Sequence, residues 1–355
     1  MKLFADLLQV YFEEAAGMRG VETESILLDG LGIEFRFAGG RWRHLTRALA
    51  HLRTAGGEPD LLVHVWDGER QPANHLLRAY LYTLSNWWFD YVGPRGQLLD
   101  VHAPRLQAVY VPGPDLLHVV DLDGNRAYCW KREFSPLPYW ETCSPFRPLL
   151  HCWLREQGVQ FVHAAAVGFP GGGVLLAGQG GAGKSSSALA CLDSPLYYLS
   201  DDYCAIRQRR DLFGYTVHSL YSTAKLAGEE DLRRFPALAP HVWNPDREEG
   251  QKPAFFLHEQ TPAKFIHQFP LRALLLPEIT GLRETTVEPC RAAEALSALA
   301  PSTLSQLPAS GAQDLAFLGE VTKRVPAYRL KAGTDIAQIP RAIAALLDSE
   351  TGRCQ

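Results

Sequence analysis

The sequence lacks several features that would place it in a specialised class of protein. Its 355 residues include seven cysteines but no CxxC pair, so neither a thioredoxin-like redox site nor a cysteine-based zinc site is predicted. An odd number of scattered cysteines favours reduced thiols over a disulfide framework. The chain also has no internal repeat and no low-complexity tract, so neither a solenoid nor a disordered protein is expected.

Long apolar runs are absent as well. No stretch reaches the ~18 continuous apolar residues that a membrane-spanning helix needs. The first residues, MKLFADLLQVYFEEAAG, carry acidic side chains too early for a signal peptide. We therefore expect a cytoplasmic protein without a membrane partner.

Positive charge is not in excess. The chain has 35 Lys and Arg residues against 39 Asp and Glu residues, which gives a formal net charge of −4. Because nucleic acids are bound largely through positive charge on the protein, no nucleic-acid partner is expected.

The length and the patterns along the chain predict two domains. In residues 1–144, ILLDGLGIEFRF and DLLVHVWDG have the alternation of strands and WRHLTRALAHL has helical spacing, which predicts a small α+β module. Trp87 and Trp88 of this module are expected to be packing residues. The proline-rich segment SPLPYWETCSPFRP places the boundary near Cys143. If the rest of the chain transfers a chemical group, one role of this module could be to recognise the molecule that accepts it.

Residues 145–355 have the pattern of an α/β domain. A helix in FRPLLHCWLREQG is predicted to end at Gly158. After Pro262, strand-like PLRALLLPEI and AYRLKAG alternate with helical AAEALSALA, GAQDLAFLGEVTKRV and DIAQIPRAIAALLDS.

The segment GQGGAGKSSS matches the phosphate-binding pattern G-x-x-x-x-G-K-[ST], and the apolar strand GVLLAG precedes it. Glycines allow backbone N–H groups to converge on phosphate oxygens, and a following helix adds its positive end. Lys184 is predicted to contact the β- and γ-phosphates, and Ser185 to hold Mg²⁺. The predicted nucleotide-binding residues are Gly178, Gly180, Gly181, Ala182, Gly183, Lys184, Ser185 and Ser186.

An acidic pair follows the next predicted strand, in LYYLSDDYCAI. In a parallel sheet the carboxyl ends of adjacent strands share an edge, so Asp201 and Asp202 are expected to face the glycine loop. One carboxylate can organise Mg²⁺ and the other can accept a proton. Their pKa values are expected to be lowered by nearby cations and pushed apart by each other.

These residues together resemble the catalytic segment of HPr kinase/phosphorylase, the bacterial enzyme that phosphorylates a serine of a small phosphocarrier protein, and resemble more closely the proteins that share only its kinase core. The resemblance is carried by His163, fifteen residues before Gly178, and by Asp201, seventeen residues after Lys184. It covers roughly residues 146–343 and is specific over residues 162–203. The family's downstream glycine-containing signature is not recognisable, which leaves phosphorylase activity and HPr as the acceptor open.

The resemblance implies a fold and a set of roles. The fold is a P-loop kinase core with a mixed sheet flanked by helices, like that of HPr kinase and PEP carboxykinase, here preceded by the small α+β domain. Asp202 is implied to be the base that deprotonates an acceptor hydroxyl, Asp201 a polar or metal-linked residue, and His163 a catalytic residue. ATP and Mg²⁺ are the implied cofactors. Because that family self-assembles, the resemblance also allows for a homo-oligomer.

A further cation is expected beside the transferred phosphate. Lys225, Lys264 and Arg272 each lie at a predicted loop or strand edge, and Lys225 is favoured for its small neighbours in SLYSTAKLAG. A solvated lysine is the alternative for this position.

Three functional hypotheses follow. The favoured one is an ATP-dependent kinase, similar to serine kinases, that acts on a hydroxyl of a peptide, protein or small molecule. A P-loop NTPase that switches conformation and a non-catalytic nucleotide-binding protein are the alternatives.

Overall fold

The computed structural model describes residues 2–69, 92–101, 103–209 and 214–353. Trp87 and Trp88 lie outside the described residues. The chain divides into two compact units, one of Met1–Gln157 with Leu307–Ala309 and the other of Gly158–Gln306 with Ser310–Gln355. This division falls after the boundary predicted at Ser144, because helix α3 (Arg147–Glu156) packs on strands of the first unit.

The first unit contains a mixed six-stranded sheet in the order β1-β2-β3-β6-β5-β4. Strands β2 and β3 are parallel, as are β3 and β6, and the remaining neighbours are antiparallel. The elements of this unit, besides α3, are α1 (Lys2–Arg19), β1 (Val21–Leu28), β2 (Leu31–Ala38), β3 (Leu61–Asp67), β4 (Leu106–Val111), β5 (Leu116–Asp121), β6 (Arg126–Lys131) and α2 (Tyr139–Cys143).

Helix α1 covers one face of this sheet. Its buried residues recur at helical spacing and pack in one cluster with residues of the sheet such as Trp66 and Trp130. The turn DGN joins β5 to β6 in a hairpin, since the two strands pair antiparallel and Asn125 has a φ of 48°.

The segment Gly40–Leu52 is helical, as predicted, but it is a 3₁₀ helix. Trp42, Leu45 and Ala48 are buried in it. A spacing of three residues places side chains on one face of a 3₁₀ helix, so the same pattern fits either type of helix.

The second unit is built on a nine-stranded mixed sheet, whose main path is β10-β8-β9-β15-β12-β11-β7; β17 pairs with β15 and β16. Its strands are β7 (Val159–Val162), β8 (Ala164–Phe169), β9 (Gly172–Ala177), β10 (Tyr197–Ser200), β11 (Cys204–Gln208), β12 (Tyr215–Ser219), β15 (Gln268–Ile279), β16 (Thr286–Cys290) and β17 (Ala327–Ala332). A separate antiparallel pair consists of β13 (Thr223–Lys225) and β14 (Ala254–Phe256).

Helices cover both faces of the large sheet. They are α4 (Lys184–Leu189), α5 (Glu229–Arg233), α6 (Leu257–Gln260), α7 (Ala292–Gln306), α8 (Ala312–Arg324) and α9 (Gln338–Arg353). Strand β8 shows why two layers are needed, since Ala165 and Val167 pack with α4 and α9 while Ala164 and Ala166 pack with α7 and α8. Both units are therefore mixed α/β structures.

No helix within the described ranges is both long and apolar enough to cross a membrane.

Candidate active site

One edge of the large sheet collects the predicted site residues. Strand β8 lies between β9 and β10 and is antiparallel to both, so the expectation that the strands before the glycine loop and the acidic pair are adjacent is wrong. Because β9 and β10 run in the same direction, their carboxyl ends still meet at one edge. The start of β8 lies at that edge too, which places His163 beside the residues that follow β9 and β10.

The glycine loop, residues 178–183, connects β9 to α4 as predicted. A Cβ on Gly178 would lie 2.9 Å from the Cβ of Ala182, so the turn leaves little room for a side chain there. Gly183 has a φ of 94°, which strongly favours glycine, at the residue before the helix. Ser185 and Ser186 are half-buried in the first turn of α4.

The Lys184 side chain folds back over this loop. Its ammonium donates hydrogen bonds to the carbonyl oxygens of Gly178, at 2.8 Å, and Gln179, at 3.2 Å. Burial lowers the pKa of Lys184 below its usual value, while the carboxylates of Asp201 and Asp202 oppose that shift. The loop therefore holds a buried cation within electrostatic range of both acids.

Asp201 is a fully buried carboxyl group, with 1% of the residue exposed. Neither of its oxygens has a hydrogen-bond partner of good geometry among the described residues. Burial, and then the neighbouring charge of Asp202, raise the pKa of Asp201 to about 6, whereas the Ser185 hydroxyl and the Lys184 ammonium favour its charged form. An unpaired buried carboxylate costs free energy, so binding of a cation or a hydrogen-bond donor at Asp201 would be favourable.

Asp202 has the opposite electrostatic environment. Burial alone raises its pKa, but the Lys225 ammonium, in direct contact with Oδ2, lowers it below the usual value, with smaller contributions from His163 and Lys252. Its side chain is 19% exposed. The pKa values of the two adjacent carboxyl groups therefore differ: the surroundings of Asp201 favour the protonated form, and those of Asp202 favour the ionised form.

The backbone of Asp202 is held in an unusual conformation. Its φ is 62°, and the N–H of Tyr203 donates to the carbonyl oxygen of Asp201 at 2.7 Å, which closes a three-residue turn. The carbonyl oxygen of Asp202 accepts a hydrogen bond from the N–H of Ala164 at 3.0 Å. Strained conformations of this kind persist where the surroundings fix them, and they concentrate at functional sites.

The His163 ring has one nitrogen directed toward Asp202, and Gln306 orients the ring through the other nitrogen. Its Nε2 lies 4.0 Å from Oδ1 of Asp202, and its Nδ1 lies 3.4 Å from the amide nitrogen of Gln306. The Tyr203 hydroxyl donates to the amide oxygen of Gln306 at 2.6 Å, a length typical of O–H···O, which fixes the amide orientation. Since an amide nitrogen can only donate, Nδ1 accepts, and a neutral imidazole carries its proton on Nε2, toward Asp202.

Of the three candidate cations, only Lys225 lies beside the acidic pair. Lys264 donates to the carbonyl oxygen of Ser194, before β10 begins. Arg272 donates to the carbonyl oxygen of Gly171 at 3.3 Å, before β9 begins. Both therefore lie at the opposite edge of the sheet, roughly a strand length from the glycine loop.

Two residues near the site were not predicted from the sequence. Gln306 ends α7 and lies 143 positions from His163, so no local spacing links them. The exposed Lys252 precedes β14 and places its charge near Asp202 and Lys184 because β13 and β14 pair at Lys225 and Ala254. From the sequence, only a prediction of the β13–β14 pairing could have indicated that Lys252 lies near the site.

The donor set suits a hard cation. In the described part of the chain, no group of three or more His, Cys, Asp or Glu residues is arranged to hold a metal ion. Mg²⁺, however, keeps several waters and takes few protein ligands, with phosphate oxygens completing the shell. Asp201, with two oxygens lacking hydrogen-bond partners, and Ser185 supply oxygen donors that fit this ion.

Comparisons with known proteins find a distant similarity among solved structures. No family model matches the chain, and no curated protein matches it in sequence. Among solved structures, it is similar to one described as the Hpr(Ser) kinase/phosphatase from Coxiella burnetii, with 12% sequence identity over 55% of this chain and 94% of that one, and a TM-score of 0.32. The relationship to that protein is a distant structural one.

Proposed function

We propose that the chain is an ATP-dependent phosphotransferase that moves the γ-phosphate to a hydroxyl group of a peptide, a protein or a small molecule. The observation that carries the proposal is the pair of neighbouring carboxyl groups in contrasting surroundings, Asp201 buried and Asp202 in contact with Lys225, beside a glycine loop that holds a buried lysine. Titratable neighbours whose environments separate their pKa values are typical of sites in which each has its own role.

The glycine loop and Lys184 are assigned to the triphosphate. Backbone N–H groups of residues 178–183 bind phosphate oxygens, and the Lys184 ammonium exchanges its bonds to two loop carbonyls for the β- and γ-phosphates. Ser185 and Asp201 would hold Mg²⁺, which would supply positive charge against the transferring phosphoryl group. Asp201 fits that role because neither of its buried oxygens has a hydrogen-bond partner of good geometry among the described residues.

Asp202 is assigned to the acceptor. The bond between the γ-phosphorus and the ADP oxygen breaks, a bond to the acceptor oxygen forms, and the acceptor proton passes to Asp202. The contact with Lys225 keeps Asp202 ionised and fixed before substrates arrive. When the phosphates enter, they attract Lys225 and their negative charge makes Asp202 a stronger base. His163, oriented by Gln306, directs its Nε2 proton toward Asp202.

The proposal is tested by following the phosphate. The protein is incubated with γ-labelled ATP, Mg²⁺ and a fractionated cell extract, and the label is measured in peptides, proteins, small molecules and free phosphate. We expect label in an acceptor fraction, and its loss by at least about 10²-fold in Lys184→Ala. Lys264→Ala is the matched control, because that lysine contacts the carbonyl of Ser194 at the other edge.

Two results would contradict the proposal. Label found only as free phosphate would favour an NTPase that switches conformation. Absence of any ATP binding would exclude both kinase and NTPase.

A further inference from the structure

Two large apolar side chains are exposed at and just after the end of β15, and the first of them lies near the glycine loop. Strand β15 is parallel to its neighbour β9, so the carboxyl ends of both strands lie at the same edge. Ile279 ends β15, and its Cγ1 would lie 3.4 Å from a Cβ placed on Gly183. Ile279 is 59% exposed and Leu282 is 68% exposed. In the described part of the second unit, Leu315 is the other exposed large apolar residue.

The loop that carries Leu282, residues 280–285, is held in place by hydrogen bonds to the segment that follows β17. The N–H of Thr334 donates to the carbonyl oxygen of Leu282 at 2.7 Å, and the N–H of Gly333 donates to Oγ1 of Thr285 at 3.0 Å. A Cβ on Gly333 would lie 2.4 Å from the carbonyl oxygen of Arg283, so this close approach requires glycine. The position of Leu282 is therefore fixed before any ligand binds, which lowers the entropic cost of binding.

We propose that Ile279 and Leu282 form the binding site for the base of the nucleotide. This inference rests on the proposed function, because the glycine loop would hold the phosphates of the same molecule. A nucleobase has two flat faces that can stack on apolar and aromatic side chains, and this stacking does not depend on which base is bound. In open α/β sheets, ligands bind outside the carboxyl ends of the strands, and this is the edge at which both apolar residues lie.

A protein partner fits the surface less well. A stable protein interface buries roughly 800 Å² on each partner, far more than two side chains supply. One face of a base is a target of the size that two side chains can cover, and the proximity of Ile279 to Gly183 places the apolar surface next to the proposed phosphate site.

The experiment compares two ligands that share the phosphates and differ in the base. Binding of ATP and of inorganic tripolyphosphate, each with Mg²⁺, is measured by calorimetry on the full chain. We expect Leu282→Gln to weaken ATP binding by about tenfold, the loss expected when roughly 50–60 Å² of apolar contact is removed. Tripolyphosphate binding should not change. Leu282→Trp should tighten ATP binding by a few-fold, because an aromatic ring stacks better on a base.

Leu315→Gln is the matched control, since it removes another exposed leucine of the same unit, 44% exposed on α8. It should leave both affinities unchanged. Equal effects of Leu282→Gln on ATP and tripolyphosphate, or no effect on either, would overturn the base site while leaving the proposed function standing. If the unaltered protein binds neither ligand, the proposed function fails and the base site fails with it.

Discussion

Replacement of Asp201 by asparagine should stabilise the metal-free protein, by an amount that grows as the pH rises from about 4 to 6. The pKa of Asp201 is raised from 3.8 to about 6, chiefly by burial. A group whose pKa is higher in the folded state contributes stability at low pH and loses that contribution as the pH rises through the folded-state value. The contribution of Asp201 to the stability of the wild-type protein therefore falls between pH 4 and pH 6, and Asp201→Asn does not share this loss.

The magnitude follows from the difference between the two pKa values. A difference of about two pH units corresponds to about 3 kcal/mol. The adjacent Asp202 carboxylate also acts on Asp201 in the unfolded chain, so part of this value is absent from the folding equilibrium. We therefore expect Asp201→Asn to raise the free energy of unfolding by about 2 kcal/mol at pH 8 and by less than about 1 kcal/mol at pH 4.5.

The assay is urea denaturation of both proteins at the two pH values, with EDTA present to remove divalent cations. Comparison with wild type at each pH cancels the contributions of other titrating groups. A stability difference of the same size at pH 4.5 and pH 8 would refute the reasoning, because it would come from packing and not from the ionisation of a buried carboxyl group. A loss of stability at pH 8 would show that the Asp201 charge is already satisfied.

Three further predictions concern residues around the site. Gln306→Leu removes the amide that orients His163, so we expect phosphoryl transfer to fall about ten- to hundredfold with ATP affinity unchanged by calorimetry; a change in affinity alone would argue against a positioning role. Lys225→Met should raise the pKa of Asp202, because the ammonium that lowers it is removed. The acid limb of the plot of rate against pH should then move to higher pH. An unchanged acid limb would show that Asp202 is not the group whose titration sets it. Gly333→Ala places a Cβ 2.4 Å from the carbonyl oxygen of Arg283 and should lower the free energy of unfolding, measured by urea denaturation, by about 1–3 kcal/mol. Unchanged stability would mean that the loop of residues 280–285 moves away to make room for the added methyl group.

Local patterns in the sequence predicted most of the individual elements. The hairpin β1–β2, the glycine loop between β9 and α4, and the helix that ends before Gly158 depend on residues close together in the chain. Gly158 has the positive φ, 76°, that the pattern indicated. Such features are set by turn chemistry and by periodicity, so they can be recognised without knowledge of tertiary structure.

The order of strands in the sheet could not be predicted in the same way. Insertion of β8 between β9 and β10 depends on the pairing of β8 with β10, about thirty residues further along the chain, and the glycine-loop motif does not encode this pairing. The same holds for Gln306, whose amide reaches His163 from the end of a distant helix. Lys225 is favoured over Lys264 and Arg272 for its small neighbours, but its contact with Asp202 joins residues 23 positions apart and is visible only in the structure.

The central claim is that Asp202 acts on an acceptor while the glycine loop holds the triphosphate. It is tested most directly by measuring ATP affinity and phosphoryl transfer in Asp202→Asn, a substitution of nearly the same size. We predict wild-type affinity for ATP in the presence of Mg²⁺, together with a fall in transfer of about 10² to 10⁴-fold. Normal turnover by Asp202→Asn would contradict the account.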